Sequence, residues 1–260
     1  MSSDIIALPE LTTVRRFVAA GFRAWPASSV RYDGAWSIRL TPGHPSRRLN
    51  SVCPLDPGDK ASIEPRLRRA ADRFRDAGRT LTMRMTPLAA DAVSDHLDAN
   101  NWSRSGDSSV MQLSLAETAV DDAMNQIPLK DVSRFVSAVV SVREYDPSLH
   151  AGLTAVIESI EPEAGLFVLE EDGEILATTI CIHDGDLAGL FEVATSRSER
   201  GKGYGRRIVL SALKWARLRG AHTAWLQVEA DNAPAINLYD SIGFEKLFRY
   251  HYRQPPVAAA

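Results

Sequence analysis

The sequence predicts an α/β fold, of the α+β kind in its N-terminal half, and three patterns carry that prediction. Segments with apolar residues every three or four positions alternate with period-two segments or short apolar runs. The dipeptides Asp172-Gly173 and Asp184-Gly185 fall between such runs, where tight turns join neighbouring strands. A basic, glycine-rich stretch, Arg200-Gly-Lys-Gly-Tyr-Gly-Arg206, stands between an apolar run and an amphipathic one, the place of a strand-to-helix loop.

Residues 11–22 read as the first helix, with Leu11, Val14, Phe17 and Val18 at helical spacing and Gly21 near its end. Residues 31–40 alternate around Trp36, Ile38 and Leu40 as one half-buried strand, ended by Thr41-Pro-Gly43, and 49–55 read as its partner. Residues 63–77 are amphipathic, with most arginines outward and Gly78 as the stop. A strand over 80–86, a helix over 88–99 closing on Asn100-Asn101, and a strand over 109–115 complete this half. It has no glycine-rich loop of its own.

Residues 116–130, polar, acidic and containing Pro128, are the expected linker, with a short strand near 124–127. Helices follow over 131–142 and 148–160, then strands over 165–171, 174–183 and 187–195. The helix over 206–219 offers Ile208, Leu210, Leu213 and Trp215 to a core and stops at Gly220. A strand over 222–229, a helix over 234–242 and a strand over 244–252 end the pattern. The expected division is a domain over 1–115, the linker, a domain over 131–254 and an unstructured tail over 255–260.

Composition narrows the function. The chain of 260 residues is 45% apolar and 24% charged, ordinary for a globular protein. A net charge of −3 and a pI of about 6.1 give no support for non-specific nucleic-acid binding. Cys53 and Cys181 are far apart in apolar surroundings and are expected to be reduced core residues. No apolar run reaches the length of about 18 residues that spans a bilayer. Met1-Ser-Ser-Asp4 lacks the basic start of a signal peptide, so a cytoplasmic location is expected. His150, His183 and His222 read as turn or helix-boundary residues, and no metal is expected.

The glycine loop is the chemical signal. Gly201, Gly203 and Gly205 let consecutive backbone N–H groups face one concavity, and the helix starting beside them adds unpaired N–H groups and a positive dipole end. Arg200, Lys202, Arg206 and Arg207 add charge, so a polyphosphate suits the place. A P-loop would need Gly-Lys followed by Ser or Thr, and a dinucleotide fingerprint would need Gly-x-Gly-x-x-Gly. Neither pattern is present.

The pattern Arg200-x-x-Gly203-x-Gly205, after a strand ending Phe191-Glu-Val-Ala-Thr195, resembles the acyl-CoA loop of the GNAT N-acyltransferase superfamily. A second signature is similar to that family's: strand Trp225-Leu-Gln-Val-Glu229, then Asn232-x-Pro-Ala-Ile-Asn-Leu-Tyr239, then Ile242-Gly-Phe244. The resemblance covers roughly residues 130–252. It implies a mixed central sheet in which a β-bulge splays the strand before the loop from its parallel neighbour. It also implies acetyl-CoA as co-substrate, with main-chain groups of Val193, Ala194 and Thr195 along the pantetheine arm. The segment Arg200, Gly201, Lys202, Gly203, Tyr204, Gly205 and Arg206 would then hold the pyrophosphate, and Asn232 would touch the pantetheine or cap its helix. Tyr239 would protonate the departing thiolate, and Glu192, with Glu229 behind it, would take the proton of the amine.

The acceptor implied is a small-molecule amine or a peptide or protein amine; a non-catalytic CoA-binding module on the same fold is the alternative. In the N-terminal half, Asp33-Gly-Ala-Trp-Ser-Ile-Arg39 and Arg47-Arg48-Leu-Asn-Ser51 resemble a bacterial GNAT subgroup with an added α/β portion. Residues 81–115, with Trp102 near the Gly-Phe place, resemble a degenerate second GNAT half without the loop or the tyrosine. Trp25, Trp36, Arg39, Arg47 and Arg48 are the candidates for an acceptor pocket.

Overall fold

The computed structural model describes residues 10–256; the N-terminal start and the tail beyond 256 lie outside them. Helix α1 (Leu11–Ala24) leads to strands β1 (Ser29–Asp33), β2 (Trp36–Leu40) and β3 (Ser51–Pro54). Helix α2 (Ile63–Asp76), strand β4 (Met83–Met85), helix α3 (Asp91–Ala99) and strand β5 (Ser103–Ser114) follow. The C-terminal half repeats this plan. Helices α4 (Val132–Arg143) and α5 (Leu149–Glu158) precede β6 (Glu163–Glu171), β7 (Glu174–Asp184) and β8 (Leu187–Thr195). Then come α6 (Tyr204–Arg217), β9 (Thr223–Glu229), α7 (Ala233–Ile242) and β10 (Glu245–Gln254).

All ten strands form one sheet, ordered β1-β2-β3-β4-β10-β5-β9-β8-β7-β6. That order maps onto itself when β1 to β5 are exchanged for β6 to β10. Each half thus lends its last strand to the other: β10 lies between β4 and β5, and β5 lies between β10 and β9. The sheet is mixed, because β3 with β4 and β8 with β9 pair in parallel, each across a crossover helix. The N-terminal half is therefore a second unit of the same plan.

Alternation along the strands sends side chains to two cores. Leu166 joins the cluster under α1, α4 and α5, whereas its neighbour Phe167 joins the cluster under α6 and α7. A third cluster fills the space between α2, α3 and the N-terminal strands. Cys53 and Cys181 are buried free thiols. Among the described residues no helix is long and apolar enough to cross a membrane.

Two expectations need correction. Residues 31–40 are not one strand but the hairpin β1–β2, whose register pairs Asp33 with Trp36. Gly34 turns it with φ +58, and Arg66 packs where a side chain would stand, within 2.8 Å of an ideal Cβ. No strand forms at 124–127; just beyond it Leu129 makes an isolated bridge to Leu166. Pro128 lacks a donor, and the Gln126 side chain bonds Val168 O in place of the backbone. Residues 116–130 are fastened down nonetheless, with Lys214 Nζ donating to Asp121 O at 2.6 Å and Ala123 O at 2.8 Å.

Candidate active site

The site begins where β8 leaves β9. Their parallel register runs from Leu187–Thr223 to Leu190–Leu226 and then stops. Glu192, with φ +48, is the bulged residue that shifts the β7–β8 register between Thr178 and Ile180. Beyond it β8 stays on β7, so the two parallel strands diverge into a wedge. Ser196 N–H returns to Leu176 O and Ala194 faces Thr178, which turns the main chain of Val193 and Thr195 toward the wedge. Two arginines occupy these carbonyls: Arg143 Nη2 donates to Val193 O at 3.1 Å and Arg200 Nε to Thr195 O at 3.4 Å.

Below the wedge lies the glycine loop. Gly201 and Gly203 hold φ +79 and +88, and an ideal Cβ on either would meet no atom within 4 Å. Gly203 is the N-cap of α6 and supplies no side chain, so the first N–H groups of that helix stay open to the groove. Gly205 is different. Its Cβ would press Thr195 Oγ1 at 3.1 Å and Leu238 Cδ2 at 3.4 Å, so it lets α6 close on β8 and α7. The groove, of about 660 Å³, is lined by Val193, Ala194, Thr195, Arg200, Gly201, Gly203, Tyr204, Gly205, Arg206, Asn232 and Tyr239, among others.

Charge is spent unevenly around it. Lys202 pairs with Glu199 at 3.0 Å and Arg207 with Glu171. Arg206 Nη1 donates to Ser241 O at 3.1 Å, at the carbonyl end of α7. Asn232 caps α7 by accepting from Ala235 N–H at 3.2 Å, with Pro234 in the first turn. Tyr239, one turn from the end of α7, is buried against Phe244, and burial pushes its phenol up to about 12.

A second cavity, of about 460 Å³, opens on the other side of Tyr239. The two share Arg143, Tyr145, Val193, Asn232, Ala235 and Tyr239. Glu192 lies in the second one, 8% exposed, with Oε2 taken by Arg143 Nε at 2.9 Å and by the Tyr145 hydroxyl at 3.3 Å. Burial pushes the Tyr145 phenol up to about 12, with Glu192 adding to it. Glu229 stands exposed at the rim. Of the candidates from the N-terminal half, Trp25, Arg47 and Arg48 line this cavity. Trp36 and Arg39 do not: Trp36 is fully buried under Arg66, and Arg39 bonds Trp25 O at 2.8 Å inside the core.

Sequence reasoning missed Arg143, Tyr145 and His44. Arg143-Glu-Tyr145 falls in the short connection expected between the helices over 131–142 and 148–160, where no motif marks it. Helix α4 ends there as Glu144 takes φ +54 and Tyr145 N–H returns to Val140 O at 3.0 Å. His44 enters on the loop 41–48, which is pinned from beneath. Asn50 accepts Thr41 N–H at 2.8 Å and donates to His44 O at 2.8 Å, and Arg79 donates to Pro42 O at 2.9 Å.

Residues 135–244 match the model of the Acetyltransferase (GNAT) family. That segment, in the C-terminal half, is a GNAT acetyltransferase domain. A Bacillus subtilis (strain 168) relative, an uncharacterized N-acetyltransferase named YobR, is 23% identical over 95% of this chain and 99% of its own. A GCN5-related N-acetyltransferase from Kribbella flavida shares the fold with a TM-score of 0.72, at 18% identity, over 94% of this chain and 96% of that one. A tandem GNAT protein from the clavulanic acid biosynthesis pathway shares it at a TM-score of 0.60 and 16% identity, over 91% and 86%. The tandem likeness agrees with the exchanged strands of the sheet. GNAT proteins use acetyl-CoA, and the wedge, the open glycine loop and the α6 N-terminus fit a pantetheine arm and its diphosphate.

Proposed function

We propose that this protein transfers an acetyl group from acetyl-CoA to a primary amine by direct attack while both substrates are bound. The carrying observation is the meeting of two cavities at Tyr239: an amide- and phosphate-compatible groove on one side, a walled chamber on the other. The pantetheine runs along Val193 and Thr195 like an added strand, displacing Arg143 and Arg200 from the carbonyls they hold. Its diphosphate sits on the N–H groups from Gly201 to Arg206.

The amine enters from the chamber. Its nitrogen attacks the thioester carbon, the carbon–sulfur bond breaks, and the amine loses one proton. Glu192 takes that proton, directly or through water, with the oxygen that Arg143 and Tyr145 leave open. Tyr239 returns a proton to the thiolate. A phenol raised to about 12 stays protonated at neutral pH and is available as that donor.

Calorimetry with acetyl-CoA, NAD and ATP, followed by a free-thiol assay across amine classes, tests the reading. Acetyl-CoA is the ligand expected to bind, with thiol release dependent on amine. Binding without turnover on any amine favours a CoA-binding module, and preference for NAD or ATP removes both.

A further inference from the structure

The chamber has a charged wall that acetyl transfer itself does not use. His44, Arg47 and Arg48 line it, and none of them borders the donor groove. Arg47 is built in. Its Nη1 donates to Ser105 Oγ at 3.0 Å, and its guanidinium lies 4.4 Å over the Tyr252 ring. Gly106, with φ +62, leaves the space it fills; a Cβ there would come within 2.3 Å of Arg47 Nη2. Arg48 stands 5.7 Å over the Phe191 ring, and no ion pair holds its guanidinium among the described residues.

His44 points the same way. Its Nδ1 accepts the Ser46 N–H at 3.1 Å, which leaves the proton of the neutral ring on Nε2. Burial holds its pKa below the ordinary value, against the pull of Glu192, so the ring is an uncharged donor at neutral pH. The negative charge of Glu192 is already matched by Arg143. Glu229 at the rim is the remaining carboxylate of the lining, facing two arginines. A chamber with surplus guanidinium charge, aromatic walls and small-molecule dimensions favours a compact anion that a guanidinium fork can hold.

Resting on the acetyl-transfer reading of this site, we infer that the acceptor is a small amine that carries a carboxylate. Arg48, Arg47 and His44 Nε2–H hold the carboxylate, and the amino group points toward Glu192 and Tyr239. The charged loop comes from the N-terminal half, so that half selects the acceptor while the C-terminal half holds the donor.

The test titrates CoA-saturated protein calorimetrically with glycine, β-alanine, phenylalanine and 4-(aminomethyl)benzoate, each beside its primary carboxamide. At least one acid should bind about tenfold or more tightly than its amide, the scale of a charge-assisted pair. Arg48→Gln should erase that preference and Arg48→Lys restore part of it, with CoA affinity retained in both. Amides binding as well as acids, no acid binding, or a preference intact in Arg48→Gln would overturn the inference. Thiol release measured in parallel separates the two readings. Selective acid binding without acetyl-CoA consumption sinks the acetyl-transfer reading and leaves the carboxylate site; equal acetylation of acids and amides does the reverse.

Discussion

At the residue scale, the two halves explain each other. Phe244 N–H bonds Tyr239 O at 3.0 Å at the end of α7, and Trp102 N–H bonds Leu97 O at 3.0 Å at the end of α3. The same helix ending therefore carries a tyrosine in one half and a fully buried leucine in the other. The loop before α2 differs as sharply: Asp59 accepts Ala35 N–H at 2.7 Å and pairs with Arg66 at 2.8 Å. The Asp59–Arg66 pair occupies the place that the open glycine loop takes before α6, and no Gly-x-Gly loop or tyrosine stands there in the N-terminal copy. Tyr239 then stands without a substitute. Tyr239→Phe is expected to lower kcat by about a hundredfold or more, the usual range for a lost general acid, with acetyl-CoA affinity little changed. Thiol-release kinetics beside calorimetry would show it, and an unaltered kcat would remove the acid role.

At the element scale, the N-terminus of α6 offers a controlled comparison. Gly203 and Gly220 both adopt left-handed φ, +88 and +95, one before and one after the same helix, and neither has an atom within 4 Å of an ideal Cβ. Alanine at either position costs about 1 kcal/mol of stability through the backbone alone. Only Gly203 faces the donor groove. Gly203→Ala should therefore weaken acetyl-CoA binding about tenfold or more, while Gly220→Ala matches its loss of Tm and leaves affinity unchanged. Equal affinities would remove the diphosphate from this loop. The comparison also shows what sequence makes legible. Periodicity and turn residues located the ends of α6, β8 and α7 closely, because caps and tight turns are chosen by local chemistry. The Gly34 hairpin escaped although Asp33-Gly34 is itself a turn signal, because Trp36, Ile38 and Leu40 alternate across it just as a single strand would. Glu192 was named from its place before the loop, yet its ion pair with Arg143 depends on where α4 ends in space. No spacing along the chain records such a distance.

At the scale of the whole molecule, the sheet joins what the sequence divides at 116–130. Strand β10 pairs with β4 through only three register positions, Met83, Arg84 and Met85, so that seam is short. His251 sits in it, opposite Met85, at the point where the β10–β5 register shifts between Tyr250 and Tyr252. Burial, first, and then Arg104 and Arg253 hold its pKa down to about 4, against the pull of Asp107 and Asp98. An unfolded chain carries the same ring near 6.5. Between those two values the unfolded state binds a proton that the folded state refuses, so stability falls as pH drops from about 6.5 to about 4. Below that range both states are protonated and this contribution stops changing. His44, also lowered, acts in the same direction in the loop over the chamber. Replacing His251 with Asn should therefore flatten part of the acid limb of Tm against pH, with little change at pH 7. Thermal unfolding of both proteins from pH 7 to about 4 measures this, and parallel curves would mean that the seam does not discharge His251.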